Sequence, residues 1–144
     1  MHPIVRVILG VITGIIVSFV IVMCFDALSV VMFVPKGTDM TNPEVLKAVV
    51  HNMPPAAMLF VLAGWTLGAF VGVFLVTKIS RNPAMGAIVG GLLLTSAIRN
   101  MMEFPHPVWM WASAITLYLL MIWLGTRLGM PRGGVPVSPA PAQA

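Results

Sequence analysis

The sequence has very little charge, since only 8% of its 144 residues are Asp, Glu, Lys or Arg. A typical soluble domain carries roughly a quarter of such residues. A chain with so few charged side chains could not cover a surface that faces water, so a soluble globular domain is excluded. Hydrophobic residues make up 59% of the chain. The composition therefore predicts an integral membrane protein, with the lipid bilayer as its first partner.

Cysteine is nearly absent as well, because Cys24 is the single one in the chain. One cysteine can form neither an intrachain disulfide nor a Cys-x-x-Cys motif. The sequence also has no phosphate-binding glycine loop, no paired carboxylates inside an apolar run and no recognisable metal-ligand spacing. We therefore expect no cofactor, no metal site and no catalytic residues. The eight basic residues are spread along the chain and predict membrane topology, not a nucleic-acid surface.

Four apolar runs are each long enough to cross about 30 Å of hydrocarbon. The predicted spans cover about residues 4–26, 55–78, 83–102 and 107–128. The fold class is accordingly all-α: a polytopic membrane protein with a bundle of four transmembrane helices and a short outer-face helix in the first loop. One membrane domain covers residues 1–130, and residues 131–144 form a flexible cytoplasmic tail rich in proline and alanine.

The outer loop, residues 27–54, is the only long polar connection, and it contains the short helix. Thr41 or Asn42 can cap this helix, Pro43 suits its first turn, and Glu44 favours the positive end of the helix dipole. One side of the helix is apolar. We expect it to lie on the membrane surface or against the bundle, and to end before Pro54.

The distribution of basic residues predicts the orientation of the chain. If the N-terminus is cytoplasmic, five basic residues lie inside and three outside, while all four acids lie outside. We therefore expect both termini in the cytoplasm. The inside set is Arg6, Lys78, Arg81, Arg127 and Arg132, and the outside set is Lys36, Lys47 and Arg99.

Small residues at four-residue spacing predict close helix packing, because they let two backbones approach in lipid. Residues 64–72 contain an extended GxxxGxxxG, which either packs the helices of one chain, the favoured interpretation, or joins a second subunit. Three tryptophans near the ends of the fourth span are predicted interface anchors. The packing residues are Gly10, Gly14, Gly64, Gly68, Gly72, Gly86 and Gly90, and the anchors are Trp109, Trp111 and Trp123.

Arg99 is the most informative single residue. It lies 18 residues after Arg81, or about 27 Å along a helix, and Asp26 lies at a similar depth in the first span. Both residues belong to rows of residues spaced four apart, which are predicted to form packing ridges. The rows are Gly10, Gly14, Ser18, Val22 and Asp26 in the first span, and Ala87, Gly91, Thr95, Arg99 and Glu103 in the third.

These positions predict a polar cluster on the outer face. Two interpretations are open: the cluster binds a ligand, or, as favoured, Arg99 has a structural role. That role is either an ion pair with Asp26 or Glu103 or simple snorkelling of the side chain to the interface. Prolines on both sides of His106 hold it stiffly, either as a fixed hydrogen-bonding group or, as favoured, in a rigid hairpin that docks on the first loop. The complete cluster is Arg99, Asp26, Glu103, His106 and His51.

The chain also resembles a group of small four-span bacterial membrane proteins that are usually described as uncharacterised. The matching elements are Leu67-Gly68-Ala69-Phe70 and Pro105-His106-Pro107-Val108-Trp109, together with Pro35-Lys36-Gly37-Thr38-Asp39. The resemblance covers about residues 4–128 and implies a location in the bacterial inner (plasma) membrane. It implies no activity.

Taken together, these patterns favour a small non-enzymatic membrane protein that serves as an accessory or assembly subunit of a larger membrane complex. Its expected partners are other membrane subunits or a second copy of itself. The alternative is an oligomeric small transporter or channel with a polar site on the outer side. An enzyme or metal site at the outer face ranks third.

Overall fold

The computed structural model describes residues 2–131 and contains five α-helices in that part of the chain. Four of them are long and apolar enough to cross a membrane, so the all-helical prediction with four long apolar helices is confirmed. Residues 132–144, which hold nearly all of the predicted tail, lie outside the described residues. The helices are α1 (Pro3–Phe33), α2 (Pro43–His51), α3 (Pro55–Ser80), α4 (Pro83–Glu103) and α5 (Val108–Gly129).

Helix α1 is longer than the first predicted span, which was expected to end at Asp26. It continues through seven further residues to Phe33 and contains 31 residues in all. Residues 27–33 are apolar or small and contain no helix breaker, so a single aspartate does not end the helix. The helix ends at Val34, whose extended backbone (φ −98°, ψ 132°) is the conformation favoured before a proline.

Helix α2 is short and is capped by its own sequence. The side chain of Asn42 accepts a hydrogen bond of 3.0 Å from the backbone N–H of Glu44, and Pro43 occupies the first turn. Before it, Oδ1 of Asp39 accepts hydrogen bonds from the hydroxyl (2.6 Å) and the backbone N–H (3.0 Å) of Thr41. These two hydrogen bonds, the one from the side chain foremost, lower the pKa of Asp39.

Helix α3 lies at the centre of the bundle and packs against α1, α4 and α5. Helix α1 lies almost entirely on α3, touches α4 only briefly and makes no close contact with α5. Within residues 2–131, the backbone of α2 approaches none of the long helices closely. Side chains of α3, α4 and α5 therefore form the buried core. It includes Met58, Leu62, Trp65, Ala97, Met101, Met110, Ala114 and Tyr118.

One end of the bundle is tightly packed through glycines. We call it the packed end; there α1 and α4 begin while α3 and α5 end. A Cβ on Gly10 would lie 3.1 Å from the carbonyl oxygen of Val76, and a Cβ on Gly129 would lie 2.7 Å from that of Phe74. A Cβ on Gly129 would therefore overlap backbone, and a Cβ on Gly10 would make an unusually tight contact with backbone, so both positions favour glycine.

The GxxxGxxxG row of α3 faces α1. Gly64, Gly68 and Gly72 are all buried, and a Cβ on each would meet Phe25, Ser18 or the backbone of Gly14. The row therefore packs two helices of the same chain. Gly86 and Gly90 of α4 are buried likewise, against side chains of α3 and α5.

Candidate functional site

The opposite end of the bundle, which carries α2 and the α4–α5 hairpin, is more open. We call it the α2 end. A cavity of about 170 Å³ lies there between α1, α3 and the α4–α5 hairpin. Leu46, Val49 and Val50, from the apolar side of α2, cover it. Because the backbone of α2 stands away from the long helices, its side chains form one wall of this first cavity and leave it partly open.

A second cavity, of about 130 Å³, lies further along the bundle in the cleft between α1 and α4. Trp65 of α3 and Asn100 of α4 line both cavities, so the two spaces adjoin. Tyr118 of α5, which is buried, lines the second cavity. The cleft exists because α1 packs on α3 and leaves most of the facing side of α4 uncovered.

Two oxygen atoms of α1 in the wall of the first cavity are buried and have no hydrogen-bond partner in the described chain. They are Oδ1 of Asp26 and Oγ of Ser29. Residues three apart in a helix share one face, so both side chains belong to the face of α1 that lines the cavity. Buried polar atoms without a partner are unusual in folded proteins and carry a desolvation cost.

His106 reaches the first cavity from the α4–α5 hairpin. Its Nδ1 lies 2.9 Å from the carbonyl oxygen of Phe104, so Nδ1 carries a proton and Nε2 is the acceptor of the neutral ring. The imidazole lies beside Trp65, with 6.1 Å between the ring centroids. A hydrogen bond and an aromatic neighbour therefore hold the histidine that the sequence places between two prolines.

Arg99 does not belong to this site, and the ion pair expected from the sequence does not form. Both Arg99 and Glu103 are exposed, and the ion pair found in residues 2–131 joins Lys47 to Glu44 (3.4 Å) on the surface of α2. With 3.6 residues per turn, Arg99 lies on the side of α4 opposite the buried Ala97 and Met101.

The row of residues spaced four apart that contains Arg99 is therefore not a packing ridge within the chain. None of its members is buried, and a Cβ on Gly91 would meet nothing within 4 Å. We call it the outward row of α4: Ala87, Gly91, Thr95, Arg99 and Glu103. The corresponding row of α1 behaves as predicted up to Ser18, since Gly10, Gly14 and Ser18 are buried against α3.

His51 lies apart from the first cavity. It is exposed and lines a shallow groove with His106 and Trp109 where the end of α2 meets the α4–α5 hairpin. Two members of the predicted polar cluster, His51 and His106, thus share a groove, whereas Asp26 and His106 share the first cavity. In the described part of the chain, no three His, Cys, Asp or Glu side chains come close enough to hold a metal ion.

The predicted interface anchors differ in their surroundings. Trp109 and Trp123 are exposed, while Trp111 is half-buried against the core. Trp123 and Trp109 lie near opposite ends of α5, and the guanidinium of Arg127 lies over the Trp123 ring at 5.1 Å.

Ser29, Asn100, Trp65 and Tyr118 were not predicted as site residues. Ser29 lies beyond the predicted end of the first span, and no local pattern distinguishes Trp65 from a core tryptophan. The tertiary contacts of α3 with α1, α4 and α5 place these residues around the two cavities.

Comparisons of the chain with models of known protein families, with curated proteins and with solved structures find no match. The resemblance to small four-span bacterial proteins therefore stays a prediction from the sequence.

Proposed function

We propose that the chain is a small non-enzymatic membrane protein that works as an accessory or assembly subunit of a larger membrane complex. The outward row of α4 carries this proposal. It places small residues, a threonine and an arginine on a face that no other helix of the described chain covers. Small residues allow a second helix to approach closely, and a charge at the edge of the hydrocarbon favours an oppositely charged partner.

The surroundings of this row support an intramembrane contact. Ile88, Leu92 and Met102 on α4 are large, apolar and exposed. A polar row bordered by apolar side chains matches the surface of a helix that meets another helix within lipid.

The orientation that we propose places the α2 end outside the bacterial inner membrane and both termini in the cytoplasm. The support comes from the basic residues: Arg6, Lys78, Arg81 and Arg127 all lie at the packed end, where α1 begins and α3 and α5 end. Basic residues favour the cytoplasmic side. Cysteines introduced singly at Asp39 and Arg81, in a Cys24→Ala background, would test this by labelling with a membrane-impermeant maleimide. Labelling of the Asp39 position alone is expected in intact cells.

The subunit proposal is tested by photocrosslinking in native membranes. A photoreactive amino acid is placed at Gly91 or Thr95 on the outward row, and at the exposed Ile12 of α1 as a control position away from the row. Crosslinks to one defined membrane protein from the first two positions are expected, together with stoichiometric co-purification of that protein. The Arg99→Glu variant is expected to reduce both at least fivefold. A protein that crosslinks only to lipid and purifies alone would contradict the proposal.

An oligomeric small transporter is the second candidate, and the two adjoining cavities favour it. Crosslinks from the outward row exclusively to a second copy of the chain would support this candidate. Uptake of the transported substrate into liposomes would then depend on Asp26, the carboxylate in the first cavity. Substrate uptake that is unchanged in the Asp26→Asn variant would show that the first cavity is not the transport site.

A further inference from the structure

The shallow groove between the end of α2 and the α4–α5 hairpin is lined by side chains with nitrogen and sulfur donors. They are the two histidines His51 and His106 and the two methionines Met53 and Met58. The other lining residues are prolines and Trp109. Within residues 2–131, no carboxylate, lysine or arginine lines this groove. Imidazole and thioether groups are therefore the side-chain groups that it offers to a metal ion.

These donors come from two separate connections of the fold. His51 ends α2, Met53 follows it by two residues, and Met58 lies in the first turn of α3. His106 belongs to the α4–α5 hairpin on the other side of the groove. The absence of a metal site was expected from spacings along the sequence, and such spacings do not reveal donors that two distant segments supply. Methionine was also not counted among the candidate ligands.

The ring of His106 is held in the form that a metal ligand needs. Its Nδ1 donates a hydrogen bond of 2.9 Å to the carbonyl oxygen of Phe104, so the free lone pair of the neutral ring is on Nε2. Histidines that bind metal ions usually donate their other ring N–H to a carbonyl oxygen or a carboxylate in this way. Pro105 and Pro107 restrict the backbone on both sides of the residue. Both the tautomer and the position of this ligand are therefore set before a metal ion binds.

The donor set selects the class of metal ion. Thioether sulfur is a soft ligand that favours Cu(I), and imidazole binds copper as well, whereas Mg²⁺, Ca²⁺ and Mn²⁺ prefer carboxylates, carbonyls and water. Zinc sites in proteins use cysteine, histidine and carboxylate ligands. Imidazole and thioether groups are both neutral, so no side chain in the groove offsets the charge of a divalent ion that leaves water. The groove therefore suits a soft monovalent ion.

We propose that this groove binds Cu(I). The imidazoles of His51 and His106 and the thioether of Met53 are the ligands, and the buried Met58 supplies a second thioether from the groove wall. Trp109 lines the same groove, and the face of an indole ring stabilises a cation beside it. Because the groove lies at the α2 end, the proposed orientation would place this metal site on the outer side of the membrane.

This inference goes beyond the proposed function and is independent of it, because metal binding by the isolated chain requires no partner subunit. The test uses the full-length protein in detergent, without oxygen and with ascorbate to keep the copper reduced. Titration against a chromophoric Cu(I) chelator measures the affinity and the stoichiometry. X-ray absorption at the copper edge identifies the ligand atoms. Ag(I), which is soft, monovalent and stable without a reductant, and Zn²⁺ serve as comparison ions.

The chain offers a matched control for each type of ligand. His2 lies before α1, and Met32, which is 63% exposed, lies near the end of α1; neither residue lines the groove. His106→Ala and Met53→Leu are expected to weaken Cu(I) binding at least tenfold, whereas His2→Ala and Met32→Leu should leave it unchanged. Leucine replaces methionine with little change of apolar volume, so Met53→Leu removes the sulfur without disturbing the packing.

The expected result for the unaltered protein is one Cu(I) per chain, bound by both nitrogen and sulfur. Ag(I) should compete for the same site, and Zn²⁺ should bind at least tenfold more weakly. Absence of stoichiometric Cu(I), a copper site without sulfur ligands, equal binding of Zn²⁺, or equal losses in the groove and control variants would overturn the proposal. The titration and the absorption spectrum of the unaltered protein decide the question even if His106→Ala fails to fold.

Discussion

Gly14 of α1 and Gly72 of α3 lie with backbone against backbone: a Cβ added to Gly14 would stand 2.6 Å from the carbonyl oxygen of Gly72 and would overlap a methyl group of Val76. Val76 is fully buried and its branched side chain is stiff, so it cannot move aside. The contact between α1 and α3 therefore depends on the absence of a side chain at this position.

Replacement of Gly14 by alanine is expected to destabilise the protein by about 1–3 kcal/mol, because the added methyl group forces the two helices apart. Thermal unfolding in detergent measures the effect. Gly91→Ala is the matched control, since its methyl group meets no neighbour and alanine favours the helix by up to about 1 kcal/mol. Equal stability of the two variants would show that α1 and α3 are not in close contact at Gly14.

Arg99 and Asp26 are expected to contribute to stability independently of each other. The structure places them on different faces, with Arg99 exposed and Oδ1 of Asp26 buried. A double-mutant cycle with Arg99→Gln and Asp26→Asn should give a coupling energy below about 0.5 kcal/mol. A coupling energy above about 1 kcal/mol would show that the two side chains interact, as they would in the ion pair that the sequence predicts.

Ser29→Ala is expected to leave the stability of the protein unchanged or to raise it. The hydroxyl oxygen of Ser29 is buried without a partner, so its removal loses no hydrogen bond and relieves a desolvation cost of about 1–3 kcal/mol. Ser96→Ala is the control, because the Ser96 hydroxyl donates a hydrogen bond of 3.0 Å to the carbonyl oxygen of Leu92. If Ser29→Ala is the more destabilising of the two in thermal unfolding, the Ser29 hydroxyl has a partner.

The turn before α2 is expected to loosen in acid. The pKa of Asp39 is lowered in the folded chain by its hydrogen bonds with Thr41, so the carboxylate stabilises the turn above the unfolded pKa, and this contribution is lost as the pH falls through the lowered folded value. Titration of Asp39 by NMR measures this pKa. Thr41→Val removes the hydroxyl and should raise the pKa towards its ordinary value. No change in this variant would mean that the hydroxyl is not a donor to Asp39.

The sequence predicts the long helices well because their signals are local. Apolar runs mark the spans, and Pro55 and Pro83 begin α3 and α4 at the residues where the corresponding spans were expected to begin. Helix α1 continues past Asp26, where the predicted span ends, to Phe33. An aspartate is compatible with a helix, whereas the residue before Pro35 is pushed out of helical geometry.

The candidate site could be predicted only in part, because depth along a helix follows from the sequence while rotation about its axis does not. The two rows of residues spaced four apart, one in α1 and one in α4, have similar compositions. The α1 row faces α3, whereas the α4 row faces outwards. In a soluble helix, polarity would distinguish the two faces. In α4, polar side chains occur both on the outward face (Thr95, Arg99) and in the cavity walls (Asn100), so polarity does not distinguish the faces. The outward position of Arg99 therefore follows only from the packing of α4 against α3 and α5.

The length of α1 has a consequence for the way the chain fits a bilayer. Its 31 residues rise about 46 Å, whereas the 21 residues of α4 rise about 31 Å, which matches the thickness of the hydrocarbon. In one bilayer, α1 must therefore either tilt more steeply than α4 or project from the surface by some 15 Å. Helix α1 leads directly into the segment that carries α2, which lies over the first cavity. Lipids of different chain length would change the tilt of α1 and therefore the position of α2 relative to the cavity.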